Sequence, residues 1–88
     1  MAIAAYQTAL KLQPDNFEIY VELGRVFQNQ ENWPEAIAAF RQAVELNPDY
    51  CWSHKYLGDA LAEQGESIEA SSCYRRALEL QPRIDPQA

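Results

Sequence analysis

The sequence holds one histidine, His54, and two cysteines, Cys51 and Cys73. His54 and Cys51 stand three residues apart, a spacing that brings both to one side of a helix. An imidazole there could take a thiol proton, but such a pair also needs a substrate group in reach and a third residue to orient the base. No orienting group is evident, and both residues fall at registers that read as packing positions. A structural role is the expectation for each. A Cys/His metal site needs more ligands than the chain offers at suitable spacing, and there is no Gly-rich phosphate loop. The chain is expected to carry no catalysis, cofactor or metal. With no Cys-x-x-Cys pair and only two thiols, the cysteines read as small, buried or half-buried side chains in a reducing compartment.

Composition narrows the partners. Thirteen acidic and 7 basic side chains in 88 residues give a net charge of −6. That argues against nucleic acid or an anionic membrane surface as the main partner, since both need concentrated Lys and Arg. The adjacent basic pair Arg75-Arg76 is expected on a solvated helix face. No run approaches the roughly 18 apolar residues of a membrane span, and no signal-peptide pattern opens the sequence. A cytoplasmic location is the default expectation. The length gives room for one small domain.

The elements that position these residues are set by a repeat. "ALKLQP" at 9–14, "AVELNP" at 43–48 and "ALELQP" at 77–82 say nearly the same thing at a spacing of 34. The register also aligns Ala2, Ala36 and Ala70, then Tyr6, Phe40 and Tyr74, and pairs Leu23-Gly24 with Leu57-Gly58. A period of this size means stacked supersecondary units. Each full unit reads as two helices. Tyr20, Leu23, Gly24 and Phe27 recur at 3, 4 and 7, the face of one helix, and Ala36, Phe40, Ala43 and Leu46 mark the next. The turn "QNQENWP" offers Asn32 as N-cap with Glu35 as its capping-box partner, and Pro34 in the first helical turn. In the second unit, Gly65 is the expected C-cap and Ser67 the N-cap candidate. Asp15-Asn16 and Asp49 are placed to cap the helices that follow Pro14 and Pro48. Gly inside a helix costs roughly 1 kcal/mol relative to Ala. Its recurrence at 24 and 58, opposite Ala36 and Ala70, implies close helix packing beside Phe40 and Tyr74.

This pattern resembles the tetratricopeptide repeat, with its W-x2-L-G-x2-Y, A-x3-F, P signature. One unit reads Tyr20-x2-Leu23-Gly24-x2-Phe27, Ala36-x3-Phe40, Ala43, Pro48. The next reads His54-x2-Leu57-Gly58-x2-Leu61, Ala70-x3-Tyr74, Ala77, Pro82. The expected organisation is the second helix of a preceding unit at 1–14, full units at 15–48 and 49–82, and a tail at 83–88. His54 and Ser67 depart from the large apolar or aromatic residues usual at their positions, so the second full unit is expected to be the looser. The resemblance implies an all-α fold, a solenoid of antiparallel helix pairs in a right-handed superhelical stack. It also implies a non-catalytic protein-interaction scaffold whose concave groove, lined by the first helices, takes a protein or peptide segment.

By that register the first helices run at about 17–30 and 51–64. Their concave-face candidates are Glu18, Val21, Glu22, Arg25 and Asn29 on one, and Trp52, Lys55, Tyr56, Asp59 and Glu63 on the other. Trp52 either anchors a partner or packs on the proline corner before it. Relatives that clamp chaperone C-terminal carboxylates use Lys and Asn at groove positions held here by Val21, Arg25 and Tyr56, which argues against that partner. Glu22 and Tyr56 likewise stand where a glycosyltransferase-linked array carries a ladder of Asn. The mixed charge suits a partner with apolar and basic side chains. Two alternatives stand beside this one. The sequence opens inside a unit and reads as part of a longer array, so self-association through uncovered ends is one. A docking arm for an enzyme domain elsewhere is the other.

Overall fold

The computed structural model describes residues 2–81. Pro82, the tail 83–88 and the side chain of Ala2, all placed in the repeat register above, lie outside the described residues. Among the described residues the chain forms five helices and no strand. They are α1 (Ala2–Leu12), α2 (Phe17–Asn29), α3 (Trp33–Leu46), α4 (Cys51–Glu63) and α5 (Ser67–Leu80). The helices α2 and α3 pack on each other, as do α4 and α5, while α1 packs on α2 and α3 on α4.

The glycines set the geometry of each hairpin. A Cβ on Gly24 would come within 2.5 to 2.8 Å of three ring carbons of Phe40. A Cβ on Gly58 would meet Tyr74 at 3.0 and 3.1 Å and the Ala70 carbonyl oxygen at 3.3 Å. Gly24 and Phe40 sit symmetrically about Asn32, and Gly58 and Tyr74 about Glu66, as antiparallel helices around a tight turn require. Around these crossings lies one apolar cluster shared by both hairpins: Ala36, Phe40, Leu57, Ala60, Leu61, Ala70 and Cys73. Trp33 and Phe27 pack against its edge. Complete burial of a side chain such as Phe40 or Leu61 contributes about 1.5–3 kcal/mol each. Burial also pushes the Cys73 thiol up from its ordinary range, which keeps it protonated and unreactive. On the outer surface Arg41 of α3 pairs with Glu69 of α5 at 2.7 Å. The hydrogen bond from Arg41 holds the Glu69 carboxyl below the usual carboxylate range.

The capping chemistry differs from the sequence expectation at three of its four N-caps. Asn16 caps α2 as expected, its Oδ1 accepting the Glu18 N–H at 3.0 Å. Asn32 occupies the N-cap of α3, but its side chain makes no capping bond, so the capping box with Glu35 is not formed. Glu66, not Ser67, is the N-cap of α5, and Tyr50, not Asp49, that of α4. The reason lies in the turns. In each hairpin the first helix closes with paired backbone bonds: Glu31 N–H to the Gln28 carbonyl and Asn32 N–H to Phe27, then Gly65 N–H to Ala62 and Glu66 N–H to Leu61. These are Schellman closures. The Asn32 N–H, from which a capping-box Glu35 would accept, is thus already donated to the Phe27 carbonyl, and the Glu66 N–H to that of Leu61. Near α4, Asn47 Oδ1 instead accepts the Asp49 N–H at 3.2 Å, a local turn just after Leu46.

The Schellman motif puts its penultimate residue in the left-handed region. Gly65 sits there with φ of 82°, as its type suggests, but the equivalent residue in the first hairpin is Glu31, with φ of 58°. Two stability predictions follow from this backbone. Glu31→Gly raises stability by about 0.5–1 kcal/mol, whereas Gly65→Glu lowers it by about 1 kcal/mol; urea unfolding followed by circular dichroism reads both. By the same assay Gly24→Ala destabilises by about 1–3 kcal/mol. Gly58→Ala costs less, because its clearances are wider while both substitutions gain the same roughly 1 kcal/mol of helix propensity.

Candidate functional site

The concave candidates come from α2 and α4, the first helix of each hairpin. Glu18, Glu22, Arg25 and Asn29 are exposed on α2, and Trp52, Lys55 and Glu63 on α4. Tyr56 and Asp59 are half-buried. Val21 is the correction: it is 5% exposed and belongs to the core. Phe17, Val21 and Arg25 form one i, i+4 stripe along α2. Phe17 meets Tyr50 edge-on at 5.1 Å, and Arg25 lies over the Tyr56 ring at 5.3 Å. The middle of the stripe is therefore closed to solvent.

Tyr56 is the centre of what remains. Its ring stacks on Phe40 at 5.6 Å, which ties it to the core, and lies 6.1 Å from Trp52, which is 47% exposed. Arg25 and Lys55 stand 5.3 and 5.8 Å from its centroid. Exposed cation–π contacts of this kind contribute about 0.5–1 kcal/mol each. The two cations have carboxylate neighbours on their own helices, Glu22 at 3.9 Å from Arg25 and Asp59 at 3.1 Å from Lys55. Such surface pairs are worth little and can exchange for a ligand's groups. The structure thus gathers Arg25, Trp52, Lys55, Tyr56 and Asp59 into one cluster. Glu18, Asn29 and Glu63 remain as separate exposed groups on the same helices.

Sequence reasoning missed the contacts that support this cluster. Tyr74 of α5 donates its hydroxyl hydrogen to Asp59 Oδ1 at 2.5 Å. It reaches that far because Gly58, one residue before Asp59, admits its ring against α4. The Phe17–Tyr50 and Arg25–Tyr56 contacts join residues of neighbouring units. Shifting the register by 34 and asking which stripe of α2 faces α4 would have found them.

His54 serves the frame. It is 8% exposed and its Nε2 lies 2.8 Å from the Pro48 carbonyl, so the ring donates there. That bond ties the first turn of α4 to the proline corner. Among the described residues no three metal-ligating side chains gather, and no helix is long and apolar enough to cross a membrane.

The tetratricopeptide repeat family model matches residues 15–83. The chain is similar to a crystal structure of MamA, with a TM-score of 0.85 and 27% identity over 89% of this chain and 46% of that one. A structure of MamA MSR-1 matches with a TM-score of 0.82 and 26% identity, over 89% of this chain and 45% of that one. The chain therefore spans less than half the length of these two structures. No curated protein sequence matches it.

Burial first, and then the Asp59 carboxylate, keep the Tyr74 phenol protonated, its pKa pushed up to about 12. An unfolded tyrosine titrates near 10. Between those values the native state binds the proton that the unfolded state has lost, so this contribution is whole below about pH 10 and fades as pH rises toward about 12. Tyr74→Phe is expected to cost about 1 kcal/mol at neutral pH, with the difference from the parent closing across that alkaline window in a series of urea titrations.

Proposed function

This chain belongs to the tetratricopeptide repeat family, a protein-interaction fold, and we propose that the concave face of α2 and α4 binds an extended or helical peptide segment. The observation that carries the reading is the exposed aromatic–cation cluster. Trp52 is open to solvent at 47%, and Tyr56 beneath it is held by Phe40. A fixed ring supporting an exposed one is a suitable anchor, since little side-chain freedom remains to be lost on binding. Around it Glu18, Glu22 and Glu63 offer carboxylates to basic side chains, while Arg25 and Lys55 set a local positive patch. The ligand that fits is a peptide with an apolar or aromatic side chain for Trp52 and basic side chains flanking it.

The test is selection of random peptides displayed on phage against the protein. Enriched peptides are expected to pair an apolar residue with Lys or Arg. Trp52→Ala should weaken the best of them by about tenfold or more, and Glu18→Lys with Glu22→Lys should weaken them further at low salt than at high salt. Peptides that bind the Trp52→Ala protein with parental affinity would place the site elsewhere.

A further inference from the structure

The two hairpins differ at one matched pair of positions on facing helices. A spacing of 34 relates Phe40 to Tyr74 and Arg25 to Asp59. The hydroxyl that distinguishes tyrosine from phenylalanine therefore appears in the hairpin that also carries a carboxylate to receive it. Asp59 uses both of its oxygens. Its Oδ1 accepts the Tyr74 hydroxyl hydrogen at 2.5 Å, and its Oδ2 accepts from the Lys55 ammonium at 3.1 Å. The first bond crosses from α5 to α4 and is charge-assisted, at the short end of its class. The Tyr74 ring is half-buried, and burial, then the Asp59 carboxylate, push its pKa up to about 12, so the donor proton stays in place at neutral pH. The carboxylate is thus fixed from a second helix where it meets Lys55. Arg25 has no such arrangement. Its carboxylate neighbour Glu22 lies 3.9 Å away on the same helix, both side chains on open surface, and Phe40 has no hydroxyl to hold either.

We propose that Tyr74 is a positioning residue of the concave binding face: by fixing Asp59 on Lys55, it makes that face refuse acidic side chains beside α4. This role rests on the concave-face reading and sets which peptides the face turns away. Two cations stand near the Tyr56 ring, Arg25 at 5.3 Å and Lys55 at 5.8 Å. By charge alone both would receive a ligand carboxylate. Asp59 already fills that place on Lys55. A ligand acid brought there meets a like charge that cannot turn aside without breaking the Tyr74 bond, and such a juxtaposition is how a surface excludes a wrong partner. At Arg25 the loose Glu22 pair exchanges at little cost, and the guanidinium fork takes a carboxylate through two N–H donors. Acidic groups of a bound peptide therefore belong beside α2. The stretch beside Trp52 and Lys55 carries neutral or basic side chains, with Glu63 exposed on the same helix to receive the latter.

The chain has two lysines, Lys11 and Lys55, so their ammonium 15N signals are readily assigned. Relaxation of those signals at low temperature reads how firmly each group is held, with no ligand present. Lys55 is expected to be the more ordered. Tyr74→Phe, its fold verified by circular dichroism, should bring Lys55 toward the mobility of exposed Lys11, and Asp59→Asn, which keeps the side-chain shape, should do the same. Equal mobility of the two lysines in the parent, or a Lys55 unaffected by Tyr74→Phe, overturns the proposal. The second arm selects random peptides on phage in parallel against the parent and the two variants. Among peptides that lose binding to Trp52→Ala, Asp and Glu are expected about threefold more often with either variant than with the parent. Adding Lys55→Met should cancel that gain. A merely structural role for Tyr74 would shift affinity without any acidic gain that depends on Lys55. Unchanged acidic content overturns the proposal and leaves the concave-face reading standing, whereas a parent that enriches no Trp52-dependent peptide overturns both.

Discussion

The close approach of a glycine to an aromatic ring, once in each hairpin, is the constraint on which the rest of the structure depends. Gly24 leaves no room for a Cβ against Phe40, and Gly58 little against Tyr74. With no side chain between them, the two helices of a hairpin come close enough for Ala36 and Ala70 to be buried at 0% and 3%. The ring that fills the remaining space is then fixed by its neighbours on two helices. That fixed ring supports the next layer: Phe40 carries Tyr56, Tyr56 carries Arg25 and adjoins Trp52, and Tyr74 reaches across to Asp59. The exposed cluster on α2 and α4 is thus an outer consequence of packing that begins at two glycines.

The two hairpins share a plan but not an environment. Phe40 is completely buried, whereas Tyr74 at the same register is only half-buried. The difference follows from position, since α4 lies over the Phe40 side and no described helix lies over the Tyr74 side. The choice of residue matches: a phenol tolerates a partly wet site when its hydroxyl has a carboxylate partner. The same reasoning explains Val21 and Lys55. An aliphatic side chain suits a covered stripe and a lysine an open one.

Much of this was legible in the sequence, and the parts that were not have a common cause. The 34-residue register and the spacing within each unit located the helices to within a residue or two, because burial on one helix face repeats every three or four positions. The glycine–aromatic packing was legible for the same reason. The caps were not. Asn32, Asp49 and Ser67 are good capping residues by type, but the tight turns close through backbone bonds, and which residue ends a helix depends on that closure. Val21 was assigned to the groove because one unit was read alone. Its burial at 5% depends on the helices packed around α2, which one unit's register does not show. Glu31 in the left-handed region gave no signal at all, since its type does not ask for that conformation.

The central claim is that the ring and the missing Cβ are energetically coupled, and a double-mutant cycle on Gly24→Ala and Phe40→Leu tests it most directly. The smaller leucine vacates the space that a Cβ at position 24 would claim. The account predicts that Gly24→Ala costs less in the Phe40→Leu background than in the parent, with a coupling of about 1 kcal/mol or more in urea unfolding. Costs that simply add, within about 0.5 kcal/mol, would mean that the two helices have another way to accommodate the methyl group and that the glycine does not set their approach.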